Sequence, residues 1–331
     1  MLSYLDIQCT DPSWNLALEQ YVFDNLPRDR VWLMLWQNDN AIIIGKHQNT
    51  LAEINEAFVR EQGIRVVRRL SGGGAVYHDL GNLNYTLIAD ENSDTMDFGR
   101  FCRPVIRALE KCGVKAELNG RNDMTIEGQK FSGNAQYRKN GRIMHHGTLL
   151  FDSQMQMLAG ALQVDEEKIK AKGVKSVRSR VTNIRPHLPQ DMTLADFRAK
   201  LLDSILEEMP GQAYQLTEAD LAAVDAISQA RYSTWEWNYG RSPACDVHKK
   251  RRFDGCGTIE AFLTMKQGRI EELTFRGDFF SPEDPSALSA QLKGVALERS
   301  ALENALSAMD AGRFFHGLST QDLLFLLEEQ P

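Results

Sequence analysis

Three blocks of the sequence gather residue types able to handle anionic oxygens. The first is Arg68-Arg69-Leu70-Ser71-Gly72-Gly73-Gly74-Ala75-Val76. A strand-like run that ends in three consecutive glycines exposes backbone N–H groups with no Cβ in the way. Such a nest suits phosphate or carboxylate oxygens, and the paired arginines add charge and forked donors. Taken alone, three glycines equally describe a hairpin turn. The block is not a P-loop, because no Gly-Lys-Ser/Thr follows, and not a dinucleotide fingerprint, because GxGxxG is absent.

The second block runs from Gly120-Arg121-Asn122-Asp123 to Lys130-Phe131-Ser132-Gly133-Asn134. On a regular strand Lys130, Ser132 and Asn134 share one face and Gly133 thins the other. An ammonium there can neutralise charge growing on a phosphoryl group, although a lysine just inside a hairpin is ordinarily solvated. Asp123 reads as a turn residue, as a holder for that lysine or as a magnesium ligand. The third block is His145-His146-Gly147-Thr148. Adjacent strand histidines face opposite sides, so one is expected in the interior as an ordinary core histidine. No third ligand follows at a recognisable spacing, which argues against a metal site built on them. Further on, residues 165–182 carry six basic residues (Lys168, Lys170, Lys172, Lys175, Arg178, Arg180) against three acidic ones. That run reads equally as a solvated charged face or as a phosphate-covering loop with Gly173 as hinge and Ser176, Ser179 and Thr182 as hydroxyl donors.

The elements that must position these blocks follow from periodicity and turn chemistry. Asp11-Pro12 opens a helix with Trp14, Ala17, Leu18, Tyr21 and Val22 on one face. Strand-like runs follow at 31–36 and 41–44, a helix at 49–61 and a strand at 64–70. Two strands at 75–78 and 82–89 flank a turn, and a helix at 98–112 stops at Gly113. Short runs at 115–119, 122–126, 130–138 and 142–151 are separated by turns containing Gly120, Gly128 and Asn140-Gly141. Asn-Gly between two such runs is a strong hairpin signal. Short hairpins mean antiparallel pairing, so the expected class is α+β, with largely antiparallel sheets packed against helices. Helices at 194–208 and 217–229 end the larger unit. A linker is expected near 246–252, where Lys249-Lys250-Arg251-Arg252 falls, followed by a hairpin at 257–276 and three helices. The division is therefore set at residues 1–247 and 248–331, the second being a small, movable α+β unit outside the catalytic core.

The 331 residues, 43% hydrophobic and 25% charged, provide ample material for a core. A formal net charge of -7 argues against broad binding to nucleic acid or anionic membrane. No apolar run approaches the about 18 residues of a transmembrane helix. Met1-Leu2-Ser3-Tyr4-Leu5-Asp6 lacks the basic start of a signal peptide, so the cytoplasm is the expected compartment. The five cysteines, Cys9, Cys102, Cys112, Cys245 and Cys256, form no CxxC pair and suggest neither a disulfide framework nor a zinc site.

In this order, the blocks resemble the lipoate–protein ligase family of the biotin and lipoate ligase superfamily. The resemblance spans nearly the whole chain. It rests on RRLSGGGAVYHDLGNLNYT (68–86), GRNDMTIEGQKFSGNAQYR (120–138), HHGTLLF (145–151), KGVKSVRSRVTN (172–183) and STWEWNYG (233–240). It implies an ATP- and Mg²⁺-dependent enzyme that converts lipoate, or octanoate, to an acyl-adenylate. The acyl group would then pass to a lysine of carriers such as the E2 lipoyl domains of 2-oxoacid dehydrogenases and the glycine cleavage H protein. By resemblance, Lys130 contacts both the lipoate carboxylate and the α-phosphate. Arg68, Ser71, Gly72, Gly73, Gly74, Ala75 and Val76 form the nucleotide stretch, with Asp123 and Asn82 near the adenylate. Trp36, Gly45, Gly74, His78 and His146 fall where the family builds its acyl pocket. Gly173, Ser176, Arg178, Ser179 and Thr182 match the loop that covers the adenylate, and Leu70 stands where some members carry a second serine. The region after residue 250 resembles the accessory domain of single-chain bacterial members.

Two other readings compete: an ATP-independent octanoyl or lipoyl transferase on the same fold, and a non-catalytic acyl or adenylate sensor. The first usually needs a cysteine acyl carrier or an acyl-thioester donor, and no cysteine falls inside the matched blocks. The second has no need of a charge-neutralising Lys130.

Overall fold

The first helix, Pro12–Asn25, starts because the Asp11 carboxylate accepts from the Ser13 and Trp14 amides and Pro12 needs no partner. Its inner face buries Leu16, Ala17, Leu18, Val22 and Phe23, together with one acid, Glu19. It packs against an eight-stranded mixed sheet in a computed structural model that describes residues 1–90, 97–120, 122–162, 181–239, 247–266 and 268–328.

That sheet is built from β1 (Leu2–Asp6), β2 (Val31–Trp36), β6 (Asn82–Asp90), β7 (Glu117–Asn119), β8 (Asp123–Ile126), β9 (Gln129–Lys139), β10 (Arg142–Leu150) and β11 (Gly211–Ala213). Their order across it is β11-β1-β2-β6-β10-β9-β8-β7, parallel only where β1 meets β2 and β11. A small second sheet sets β3 (Ala41–Ile44) between β4 (Arg65–Arg68) and β5 (Val76–His78). Helices Phe98–Lys111 and Leu194–Glu208 share a core with one face of the large sheet, including Phe101, Val105, Phe197 and Leu201. The expected α+β class holds. The β9–β10 turn is the hairpin that Asn-Gly demands, with φ of 52° at Asn140 and 69° at Gly141.

Three details depart from the sequence reading. The helix expected over 49–61 is two short ones, Thr50–Glu53 and Glu56–Glu61. Between them Ile54 bridges to Leu162, and the Asn55 amide donates to the Ala161 carbonyl, which removes both from a continuous helix. Lys249–Arg252 is not a linker. It lies within β12 (Val247–Phe253), which pairs with β13 (Gly257–Lys266), itself paired with β14 (Arg269–Gly277). Charged residues fit there because that strand alternates, with Lys249 and Phe253 buried and His248 and Lys250 exposed. The third departure is in β9: Thr125 pairs with Lys130 but Met124 pairs with Ser132, so Phe131 is an extra residue. Phe131 is buried in the core, and the side chain of Lys130 crosses to the Gly133 side.

The C-terminal sheet and helices Pro285–Leu292, Arg299–Leu306 and Thr320–Glu328 enclose their own apolar core, with Ile259, Phe275, Phe315 and Leu326 among its buried members.

Candidate active site

Lys130 stands at the head of β9 with its ammonium 2.7 Å from the Asp123 carboxylate on β8. A Cβ on Gly133 would lie 3.0 Å from that nitrogen, so the glycine leaves the lysine room to lie over the strand. The sequence placed Gly133 on the opposite face; the bulge at Phe131 shifts the alternation by one residue. Asn122 and Asn134 clasp one another: the Asn134 amide and Nδ2 both donate to the Asn122 carbonyl, and Asn122 Nδ2 donates to the Asn134 carbonyl. Lys130, Asn122, Gly133 and Asn134 line one side of a chamber that continues under the glycine loop. On the next strand Gly147 is forced to be glycine, because a Cβ there would lie 2.1 Å from Asn134 Oδ1 and 2.6 Å from the Tyr85 ring.

The glycine loop forms the facing wall through Gly73, Gly74, Ala75 and Val76. Gly73 has φ of 88°, and Gly74 has open space where a side chain would project. Ser71 and Gly72 do not reach the chamber lining. Arg68, expected to hold phosphate, is committed elsewhere. Its guanidinium donates to the carbonyls of Gly45, Lys46, Gln48, Trp237 and Asn238 and to Thr50 Oγ1. With its donors saturated, Arg68 braces the 45–50 turn against the STWEWN block, and its backbone N–H is taken by Asn238 Oδ1. Arg69 is the arginine of the lining, donating to Ser71 Oγ and to the carbonyls of Ile43, Gly72 and Gly74. Burial pushes both guanidinium groups down to about 10. Gly45 is likewise behind the loop rather than in an acyl pocket: a Cβ there would strike the Gly73 carbonyl at 1.9 Å. Asn82 is fully buried and bonds Asn84, and Asn84 is the one that lines the chamber.

The other end is apolar, walled by Leu16, Trp36 and Ile43, and His78 and His146 line the chamber too. Beneath runs a buried polar chain that the sequence reading missed. Trp36 Nε1 donates to Thr86 Oγ1, Thr86 donates to Glu19, and Glu19 lies 3.0 Å from His146 Nδ1. His146 Nε2 is 2.6 Å from Ser71 Oγ, which also accepts from Arg69. The Glu19 carboxylate therefore fixes the ring of His146 and, through it, the start of the glycine loop, near buried Arg69. The available signal was Glu19 itself, an acid beside Leu18 on the inner face of an amphipathic helix. The interior histidine of the pair is His145, held by Tyr85 and Gln136 and kept neutral by burial.

The C-terminal unit, expected to lie outside the catalytic core, touches this site directly. Phe280 lines the chamber and packs on Phe98, and the Phe279 carbonyl accepts from the Gly73 amide at 3.1 Å. Phe279 stacks on His47, the Gly277 amide donates to the His47 carbonyl, and Lys46 pairs with Asp284. Of the expected covering loop, Gly173, Ser176, Arg178 and Ser179 lie outside the described residues. Thr182 is described: its amide donates to the Lys130 carbonyl, so that segment ends on the strand of the lysine. Among the described residues no group of three His, Cys, Asp or Glu side chains could hold a metal ion, and no helix is long and apolar enough to cross a membrane.

Comparison with known proteins bears on the same residues. Residues 11–206 match the family model of the lipoyl protein ligase A/B catalytic domain, and residues 242–327 match that of the bacterial lipoate protein ligase C-terminus. The chain is 45% identical to the lipoate-protein ligase LplJ of Bacillus subtilis, over 96% of this chain and 97% of that protein. It is 39% identical to lipoate–protein ligase 1 of Staphylococcus aureus, with 96% and 97% covered. The fold is similar to that of P. falciparum LipL1, solved with lipoate, with a TM-score of 0.77 at 22% identity over 99% of this chain and 98% of that one. A lipoate-protein ligase A solved with ATP gives a TM-score of 0.61 at 26% identity, covering 72% of this chain and 98% of that one. A chamber with an ammonium at its polar end, an open glycine at its wall and an apolar far end thus sits in a sequence that belongs to the lipoate–protein ligase family.

Proposed function

We propose that this chain activates lipoate with ATP to form lipoyl-AMP in the chamber beside Lys130, then transfers the lipoyl group to a lysine of a carrier protein in the cytoplasm. The observation that carries this reading is the single chamber joining Lys130 to an apolar end at Leu16, Trp36 and Ile43. An eight-carbon acid, anionic at one end and apolar at the other, needs that combination. The lipoate carboxylate attacks the α-phosphorus and pyrophosphate leaves, so two anions must meet. Lys130 supplies a compact positive charge at the meeting point, and the walls of Gly74 and Gly133 leave the reactants room to align.

Magnesium fits as a companion of the nucleotide rather than as a resident ion. Asp123, paired with Lys130, is the carboxylate that would help hold it, and the nucleotide's own phosphates would hold the rest. The ion would supply charge neutralisation on the departing pyrophosphate. The mixed anhydride that results hydrolyses readily in water, and we assign its shielding to the covering loop, whose described member Thr182 donates its amide to the Lys130 carbonyl. The incoming lysine attacks the acyl carbon as a neutral amine, and AMP departs. We assign both steps to residues 1–247, with 248–331 as an accessory unit that closes on the site through Phe279 and Phe280. The archaeal bipartite ligase of Thermoplasma acidophilum, 29% identical over 74% of this chain, is described together with its E2 lipoyl domain. That favours E2 lipoyl domains, and by the same lysine chemistry the H protein, as carriers here.

A thiol-based transferase finds no support in the described cysteines. None lines the chamber, and burial pushes the Cys102 thiol up to about 12. The deciding experiment is lipoate-dependent exchange of labelled pyrophosphate into ATP. Exchange is expected; its absence alongside transfer from an acyl thioester would replace this reading with the transferase.

A further inference from the structure

His78 is buried, lines the chamber and leaves one ring nitrogen without a partner. Its tautomer is fixed by a chain of amides. Asn15 Nδ2 lies 3.0 Å from the Cys9 carbonyl and 2.8 Å from the Gln37 carbonyl. Carbonyl oxygens only accept, so this end of Asn15 is its nitrogen, and the Asn38 atom 3.0 Å away is Oδ1. Asn38 therefore turns its Nδ2 to His78 Nδ1, at 3.0 Å, with Asn84 Nδ2 at 3.5 Å on the same nitrogen. An Nδ1 that accepts leaves the proton on Nε2. Burial holds the ring down to about 3, so it is neutral, and Nε2–H is a donor with no acceptor among the described residues.

The surroundings select what that donor can meet. The Trp36 ring stands edge-on at 6.3 Å, and Leu16 and Ile43 line the same chamber, together with Asn84 and His146. The carboxylate of the substrate is claimed by Lys130 at the polar end. A strongly hydrated acceptor would lose its water on entering the apolar end, whereas a thioether-like sulfur is a weak acceptor with little hydration to lose.

We propose that His78 Nε2–H donates to a sulfur of the lipoate dithiolane ring and sets the preference for lipoate over octanoate. The inference rests on the reading of the chamber as a lipoate site. A straight alkyl tail leaves the buried N–H unpaired, and that unpaired group is the source of discrimination. Asn38 and Asn15 serve as positioning residues that keep the proton on Nε2, the buried nitrogen without a partner.

The test uses the full chain and three acids: lipoate, octanoate and 5-cyclopentylpentanoate, which keeps the ring and lacks sulfur. The readout is kcat/KM for acid-dependent pyrophosphate exchange. The native chain is expected to favour lipoate over the carbocycle on the order of tenfold, the scale of one weak buried hydrogen bond. His78→Phe should bring that ratio close to one, and His78→Gln, which can still present an N–H, should restore part of it. Ratios taken on one preparation do not depend on the fraction folded. Equal use of lipoate and the carbocycle by the native chain would overturn the proposal, as would an unchanged ratio in His78→Phe. Either result leaves the ligase reading standing, whereas no exchange with any of the acids would remove the ligase reading itself.

Discussion

Lys130 Nζ sits 2.7 Å from Asp123 Oδ1 across the β8–β9 hairpin, and the Lys130 carbonyl accepts from the Thr182 amide. The ammonium is thus aimed by its neighbour strand, while its backbone is tied to the segment expected to close over the product. Both groups of the pair are partly exposed, so the pair contributes little to stability, and its value is in orientation. Lys130→Ala should fold normally and lose lipoyl-AMP formation by about 10²–10³-fold, the scale of losing one charge-stabilising donor. Lys130→Arg should fail nearly as far, because a planar fork cannot replace a compact ammonium above Gly133. Asp123→Asn should give a smaller loss. Near-native adenylate production by a folded Lys130→Ala chain would take this residue off the site.

Two glycines at the chamber separate function from stability. Gly74 faces open space, so Gly74→Val should leave the melting temperature almost unchanged while raising KM for ATP or lipoate through the volume it fills. Gly147 has no such space, and Gly147→Ala should lower stability by about 1–3 kcal/mol, the range for overpacking. Thermal melts and initial rates on both variants check the pair. Equal effects of the two on melting would mean that the Gly74 side is not open.

The sequence disclosed the site where the signal was local. The run of glycines, the Asn140-Gly141 hairpin and the spacing from Asp123 to Lys130 depend on residues close in the chain. Three features were hidden because they depend on contacts across the fold. Arg68 looks like a phosphate ligand beside three glycines, yet its six acceptors come from residues 45–50 and 237–238. The bulge at Phe131 leaves no mark in composition, because it arises from how Phe131 reaches the core. Phe280 enters the chamber from a unit whose contact with the glycine loop no periodicity announces. Lys249–Arg252 misled for the opposite reason: charge suggested a linker where an alternating strand runs.

Stability should fall in acid through the buried histidines His47, His78 and His145, the first two of which set a defined window. His78 and His47 are held neutral by burial, each down to about 3 from an ordinary 6.5. Between those values the unfolded chain binds protons that the native chain refuses. Their contribution is therefore complete above about pH 6.5 and is lost as pH falls toward about 3, by up to about 1.4 kcal/mol per pH unit for each ring. Urea unfolding at about pH 7 and about pH 5 should show this loss, and His78→Phe should reduce it by about 2 kcal/mol. Identical losses in the native and variant chains would mean that the ring titrates normally.

The contact between the glycine loop and the C-terminal unit sets a condition on catalysis. The Gly73 amide, one of the loop N–H groups that a phosphate is expected to meet, is bonded to the Phe279 carbonyl. The Gly72 side is equally covered, since a Cβ there would lie 2.3 Å from that carbonyl. A phosphate using this amide must first displace Phe279, so binding of nucleotide and separation of the two units are coupled. Among the described residues the contacts between them include the Gly73–Phe279 bond, the Lys46–Asp284 pair, the Gly277 amide on the His47 carbonyl, the Phe279–His47 stack and the packing of Phe280 on Phe98. Interfaces of this kind within a chain permit relative motion on the time scale of catalysis. Hydrogen exchange at Gly277 reports the opening, because its amide is protected by a bond across the interface. Saturation with a non-hydrolysable lipoyl-AMP analogue should speed exchange at Gly277 and leave Asn134, whose amide bonds Asn122 within the catalytic unit, unchanged. Slower exchange at Gly277 in the bound state would show that ligand tightens the closed arrangement, and phosphate recognition would then have to avoid the Gly73 amide.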